Sequence, residues 1–165
     1  MLFDLRKYFS AGPSPCEEAF EADFSGRDFS GASIPQPVAA RFAAQREEGE
    51  IQLTLQAQAQ VQGCCARCLD PVEYTETVDA AWTVREKDLD DPDFELPLGE
   101  RGALDVTEWL FQEFSLQIPT VLLCSPDCLG LCPVCGKKRQ DCTCTPGAQS
   151  DAADARLSIL KSLLN

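Results

Sequence analysis

"IQLTLQAQAQVQ" (Ile51–Gln62) alternates without a break. Ile51, Leu53, Leu55, Ala57, Ala59 and Val61 fall on one side of an extended chain, and five glutamines and Thr54 fall on the other. Period-two alternation is the strongest strand signal a sequence offers. One wet face marks an antiparallel sheet. Upstream, Val38, Ala40, Phe42 and Ala44 keep the same rhythm, and "REEGE" (Arg46–Glu50) supplies a turn. Downstream, Val72, Tyr74, Val78, Ala80, Trp82 and Val84 alternate again, with Glu76 the only break. The pattern predicts a meander of at least three strands, with Cys65–Cys68 at the tip of its second hairpin.

Outward from the meander the signals change. "REKDLDDPDFELPLGERG" (Arg85–Gly102) is acidic and rich in proline and glycine, which reads as a mobile loop. A helix follows. Asp105 is placed to cap it, and Glu108 stands three residues later, as a capping box requires. Val106, Trp109, Leu110 and Phe114 make one apolar stripe that should pack on the sheet, and Pro119 ends the helix. Residues 1–36 are mixed, and "EEAFEADFSG" (Glu17–Gly26) reads as strand or loop. At the other end "TPGAQS" is a linker. "DAADARLSILKSLLN" (Asp151–Asn165) carries Leu157, Leu160, Leu163 and Leu164 on one side of a short helix. The fold expected is α+β: an antiparallel β-sheet with one main packed helix, a C-terminal cysteine-rich zinc-binding module and a short terminal helix. Residues 1–123 form the β-rich domain carrying the hairpin tip, 124–144 the zinc module, and 145–165 the linker and terminal helix.

Composition bounds the function. The chain has 165 residues, 14 Lys plus Arg against 27 Asp plus Glu, no histidine, and a net charge of −13. Grip on bare phosphates needs a basic face, so tight binding to naked RNA is not expected. The local exception is "GKKRQ" (Gly136–Gln140), read either as a solvated loop or as a small positive contact on an acidic body. "MLFDLRKYFSAGPSP" has no long apolar run after its basic residues, so no secretory signal is expected. No stretch approaches the ~20 apolar residues of a membrane span. A cytoplasmic location is the expectation, where disulfides seldom persist.

The chemistry then rests on ten cysteines: Cys16, Cys64, Cys65, Cys68, Cys124, Cys128, Cys132, Cys135, Cys142 and Cys144. "CARC" (Cys65–Cys68) and "CPVC" (Cys132–Cys135) are spaced to chelate one metal from a tight turn. Gly136 follows the second of these turns, where a positive φ is easiest to make. "CTC" (Cys142–Cys144) aims two sulfurs the same way on an extended segment. Thiolates select zinc, Cu(I) or iron–sulfur clusters, and zinc is the metal expected. Counting sulfurs gives a local set, Cys132, Cys135, Cys142 and Cys144. It leaves Cys65, Cys68, Cys124 and Cys128 to form a second set that closes a long loop. Two structural sites are expected, and one is possible: a single zinc ribbon joining "CARC" to "CPVC" is the rival layout. Cys16 and Cys64 are left as small buried or partly exposed residues. An enzyme is not expected. A catalytic zinc keeps an open position and usually includes histidine or a carboxylate, and the commonest general base is missing.

Together these stretches resemble one family. "VQGCCARCLDPVEY" (Val61–Tyr74), "LDVTEWLFQEFSLQIPTVLLC" (Leu104–Cys124), "CSPDCLGLCPVCGKKRQDCTC" (Cys124–Cys144) and "DARLSILKSL" (Asp154–Leu163) follow, in order, the motifs of the YceD family of bacterial and plastid proteins. That resemblance implies a non-enzymatic factor supporting accumulation of large-subunit ribosomal RNA and ribosome assembly. Some members of that family keep the C-x-R-C unit but lack most later cysteines, which favours pairing Cys65 and Cys68 with Cys124 and Cys128. Adding the charge argument, the partner expected is a basic large-subunit ribosomal protein or a pre-ribosomal particle. Two competing readings are a redox-sensing zinc protein that releases metal on oxidation and an iron–sulfur protein.

Overall fold

The computed structural model describes residues 1–11, 14–91, 93–99 and 102–144. The terminal helix expected within 145–165 lies outside the described residues. The main element is an antiparallel sheet in the order β2-β3-β4-β5, formed by Cys16–Ala22, Val38–Glu47, Glu50–Cys64 and Pro71–Arg85. Its α+β partners are a short ribbon of β1 (Leu2–Asp4) with β6 (Ala103–Asp105), a short helix α1 (Leu5–Ser10), and the main helix α2 (Val106–Gln117).

The alternation of Ile51–Gln62 sets the layers. Ile51, Leu53, Leu55 and Val61 are fully buried, and the intervening glutamines face outward. The hairpin between β3 and β4 turns on Glu48 (φ 50°) and Gly49 (φ 88°). Two successive positive φ values give the turn whose twist matches a two-residue hairpin. Val106, Trp109, Leu110 and Phe114 bury the stripe of α2 in the same core. Phe24, Phe29, Phe111 and Phe114 extend that core as tilted and edge-on aromatic pairs, with the Arg27 guanidinium 4.3 Å above the Phe111 ring.

One open reading is decided and two expectations need correcting. The stretch read as strand or loop is a fourth strand, β2, which turns Phe20 and Ala22 inward beside β3. The acidic stretch after Arg85 is not a loose loop throughout. It makes a 3-10 turn over Glu86–Asp90, buries Leu89 and Leu96, and packs Phe94 edge-on against Trp82 at 5.9 Å. Three spaced apolar side chains hold it to the core in spite of its charge. The capping box is half formed. Asp105 accepts hydrogen bonds from the Thr107 and Glu108 N–H groups at 3.0 and 3.2 Å. The Asp105 N–H, however, donates to the Pro97 carbonyl at 3.1 Å, and the Glu108 carboxylate pairs with Arg27. The cap therefore belongs to Asp105 alone. Asp105→Ala should lower stability by about 1 kcal/mol, and Glu108→Gln by clearly less, since its ion pair is partly exposed. Denaturant unfolding of both variants checks the ranking.

Candidate metal centre

The two C-x-x-C units fold into the same turn. The Cys65 N–H donates to the Asp70 carbonyl at 2.7 Å and the Leu69 N–H to the Cys65 carbonyl at 2.9 Å. Likewise the Cys132 N–H donates to the Lys137 carbonyl at 2.7 Å and the Gly136 N–H to the Cys132 carbonyl at 2.8 Å. In both, the residue after the second cysteine is left-handed: Gly136 at φ 71° and Leu69 at φ 62°. Glycine takes that conformation freely, whereas leucine carries strain. Such a turn points its two sulfurs to one spot and lines that spot with backbone N–H groups.

The fold brings eight thiols into two quartets. Cys65, Cys68, Cys124 and Cys128 have sulfurs within 4.8 Å of one another, and so do Cys132, Cys135, Cys142 and Cys144. In the first quartet Cys65 and Cys128 lie 3.7 Å apart and Cys68 and Cys124 3.5 Å. A disulfide needs about 2.05 Å. A tetrahedral tetrathiolate with metal–sulfur bonds near 2.3 Å has edges of about 3.8 Å. The spacing therefore suits a metal cage, and either quartet can hold one ion. The fold does not assemble the single-ribbon set of Cys65, Cys68, Cys132 and Cys135. Cys16 is half-buried with its sulfur 3.8 Å from Glu18, Cys64 is exposed at the end of β4, and neither enters a quartet.

The electrostatics of the sulfurs are uneven. Cys65 is lowered to about 6, chiefly by the Cys124 N–H and against the pull of desolvation. Cys132 is lowered to about 6 by the N–H groups of Cys135 and Val134. Their neighbours go the other way. The Asp70 N–H favours a Cys68 thiolate, yet burial and the surrounding thiols push Cys68 up to about 12. Cys144 is likewise pushed up to about 12, first by Cys135. Within each quartet one thiol is lowered and others are raised, an imbalance that a cation at the centre would relieve.

Sequence reasoning missed the residues that join the quartets to the body and to each other. The Ala66 N–H donates to the Leu122 carbonyl at 2.8 Å, which ties the hairpin tip to the segment after α2. The Arg67 guanidinium donates to the Cys128 carbonyl at 2.8 Å, and the Arg67 carbonyl accepts from the Leu131 N–H at 3.1 Å. Gly130 has φ 74°, and a Cβ there would sit 3.0 Å from the Arg67 carbonyl oxygen. The Gly130 carbonyl also accepts from the Arg139 N–H of the second loop at 2.9 Å. Lys138 completes the link with an ion pair to Asp70 at 2.6 Å, which holds the Asp70 carboxyl below its usual range. The basic stretch is thus partly consumed as a joint between the two quartets. The glycine in "CLGLC" was the signal available, but its partner is a backbone oxygen that no side-chain pattern reports.

Metal analysis of the purified chain should give two equivalents, one lost in Cys65→Ser and the other in Cys142→Ser. A single equivalent lost from either Cys65→Ser or Cys132→Ser would establish the ribbon instead. Gly130→Ala should cost about 1–3 kcal/mol, and more than Gly136→Ala. Both positions have positive φ, but an added Cβ at Gly136 meets nothing within 4 Å. Equal unfolding midpoints for the two variants would contradict this packing.

Comparison with curated proteins gives no match, and comparison with solved structures gives none either. A family model does match, over residues 53–164, and its description is "Large ribosomal RNA subunit accumulation protein YceD". The matched span starts inside β4 and includes both quartets, the hairpin tip and α2. The chain belongs to the YceD family, whose name carries a role in accumulation of the large ribosomal RNA.

Proposed function

We propose that the chain is a non-enzymatic, zinc-stabilised assembly factor for the large ribosomal subunit, acting in the cytoplasm through a basic ribosomal protein or a pre-ribosomal particle. The family match over residues 53–164 is the observation that carries this reading. Charge refines it. A chain at −13 repels a bare phosphate backbone and attracts the basic proteins that coat it. Part of its small basic stretch is engaged, since Lys138 pairs with Asp70.

Two features support a structural role for the metal. All four ligands in each quartet are cysteines, the donor set of closed zinc sites. The cleft between the quartets, lined by Asp70, Ser125, Asp127 and Lys138 among others, holds about 70 Å³. Small-molecule sites are roughly 300–1,000 Å³. Zinc here would fix the relative placement of the hairpin tip, the segment after α2 and the second loop.

Affinity capture of the full-length chain from cell extract should recover large-subunit proteins or precursor particles. The purified chain should bind naked large-subunit ribosomal RNA only weakly at physiological salt. An eluate without ribosomal components, or tight binding to the naked RNA with no protein present, would overturn the proposal.

A further inference from the structure

The outer edge of β5 is long and unpaired. β5 has 15 residues and ends the sheet, with β4 on one side and no further strand on the other among the described residues. The direction of its free polar groups follows from the register. Ser33 and Gln62 exchange both backbone hydrogen bonds, at 2.8 and 2.9 Å, so Gln62 directs its N–H and C=O away from β5. Gln62 stands opposite Glu73, so that pair is not hydrogen-bonded and Glu73 points its own polar groups outward. Antiparallel pairs alternate, and the register runs without a bulge from Glu50 opposite Arg85 to Cys64 opposite Pro71. Glu73, Thr75, Thr77, Asp79, Ala81 and Thr83 therefore all present a donor and an acceptor to the open side. Among the described residues, none of these groups has a backbone partner there.

Natural sheets blunt such edges with short strands, bulges, prolines or lysines. After Pro71, β5 has none of these, and its only guard is negative charge, with Glu76 on the inner face. Its inner-face side chains Val72, Tyr74, Ala80 and Trp82 are only half-buried, as they would be with one neighbouring strand missing. The Tyr74 hydroxyl is buried without a hydrogen-bond partner among the described residues. The charges on the edge are of one sign: Glu73, Glu76 and Asp79 lie along it before Arg85, which is paired with Glu50. A second copy added through the same edge would set these carboxylates against their own kind. A basic extended segment would be attracted by them.

We propose that the edge of β5 receives an extended, lysine- or arginine-rich segment of a protein partner by strand addition. The identification of that partner as ribosomal rests on the proposed function; the edge itself does not. Backbone hydrogen bonds supply the grip, the carboxylates select a basic sequence, and the half-buried inner face receives alternate apolar side chains.

The probe is an end-blocked peptide of alternating lysine and valine, about eight residues long, added to the full-length, metal-loaded chain. Hydrogen exchange at Thr75, Thr77, Asp79 and Ala81 should slow by about ten-fold or more at saturation. A matching glutamate–valine peptide should leave these amides unchanged. Thr77→Pro should abolish the effect while preserving metal content and the β4 ladder, because that N–H points away from β4. Glu73→Lys combined with Asp79→Lys should weaken the basic peptide without a proline. Three results would each overturn the proposal: no protection by the basic peptide at millimolar concentration, equal protection by the acidic one, or edge amides already protected in the chain alone. The last would mean that another part of the chain or a second copy occupies the edge. Capture from extract separates this from the function. If Thr77→Pro still recovers ribosomal components as well as the unaltered chain does, strand addition is not the route, although the assembly role stands. If the unaltered chain recovers none but the peptide still protects the edge, the ribosomal role fails and the strand-addition site remains.

Discussion

The joining of Cys65 and Cys68 to Cys124 and Cys128 constrains more of this molecule than any other interaction. Cys65 and Cys128 are 63 positions apart in the chain, and Cys68 and Cys124 are 56 apart. Between them lie β5, the acidic connection and α2. Holding the two ends together fixes where the chain must leave α2, and so where that helix can lie. Packing at the junction is close to its limit. A Cβ on Gly63 would fall 2.3 Å from the Leu122 Cδ1 atom, just where the Leu122 carbonyl meets the hairpin tip. The second quartet hangs on the first through Arg67, Gly130 and Lys138, so its placement inherits the same constraint.

How much of this was legible depended on whether the determinant was local. The period-two pattern of Ile51–Gln62 reports burial on one face directly, and the stripe of α2 does so at helical period. The quartets followed from counting sulfurs, because a tetrathiolate needs four and the spacing leaves few groupings. β2 was harder. "CEEAFEA" offers only Cys16, Phe20 and Ala22 as inward residues, and its pairing with β3 decides its state. The ribbon of β1 and β6 joins Leu2 to Asp105, a contact between distant segments that no window of sequence contains. The acidic connection misled for a compositional reason: its charges outnumber Leu89, Phe94 and Leu96, but those three residues set its position.

Charge is spread unevenly along the chain. Carboxylates dominate the chain, yet the strongest basic stretch sits between the quartets, where Lys138 serves an internal joint. The outward face of β4 carries amides and Thr54 in place of large apolar groups, which keeps a long sheet face wetted. The open edge of β5 is guarded by like charge and by Glu76 on its inner side, a device that discourages copies from pairing while leaving the edge open to an opposite charge.

Leucine rather than glycine at position 69 makes the two quartets unequal in what they cost to assemble. The second quartet lies within one short stretch and turns on Gly136, which adopts its conformation without strain, so its ligands gather with little loss of chain freedom. The first must bring together sulfurs separated by more than fifty positions and must also hold Leu69 left-handed. Closing the longer loop costs about 1–2 kcal/mol more by chain entropy alone. The local quartet is therefore the cheaper of the two to assemble, and the long-range quartet forms only where β5, the acidic connection and α2 bring its two halves together. An ion held at the first site would latch the two ends of that long stretch together, whereas one held at the second would tie down only its own short loop.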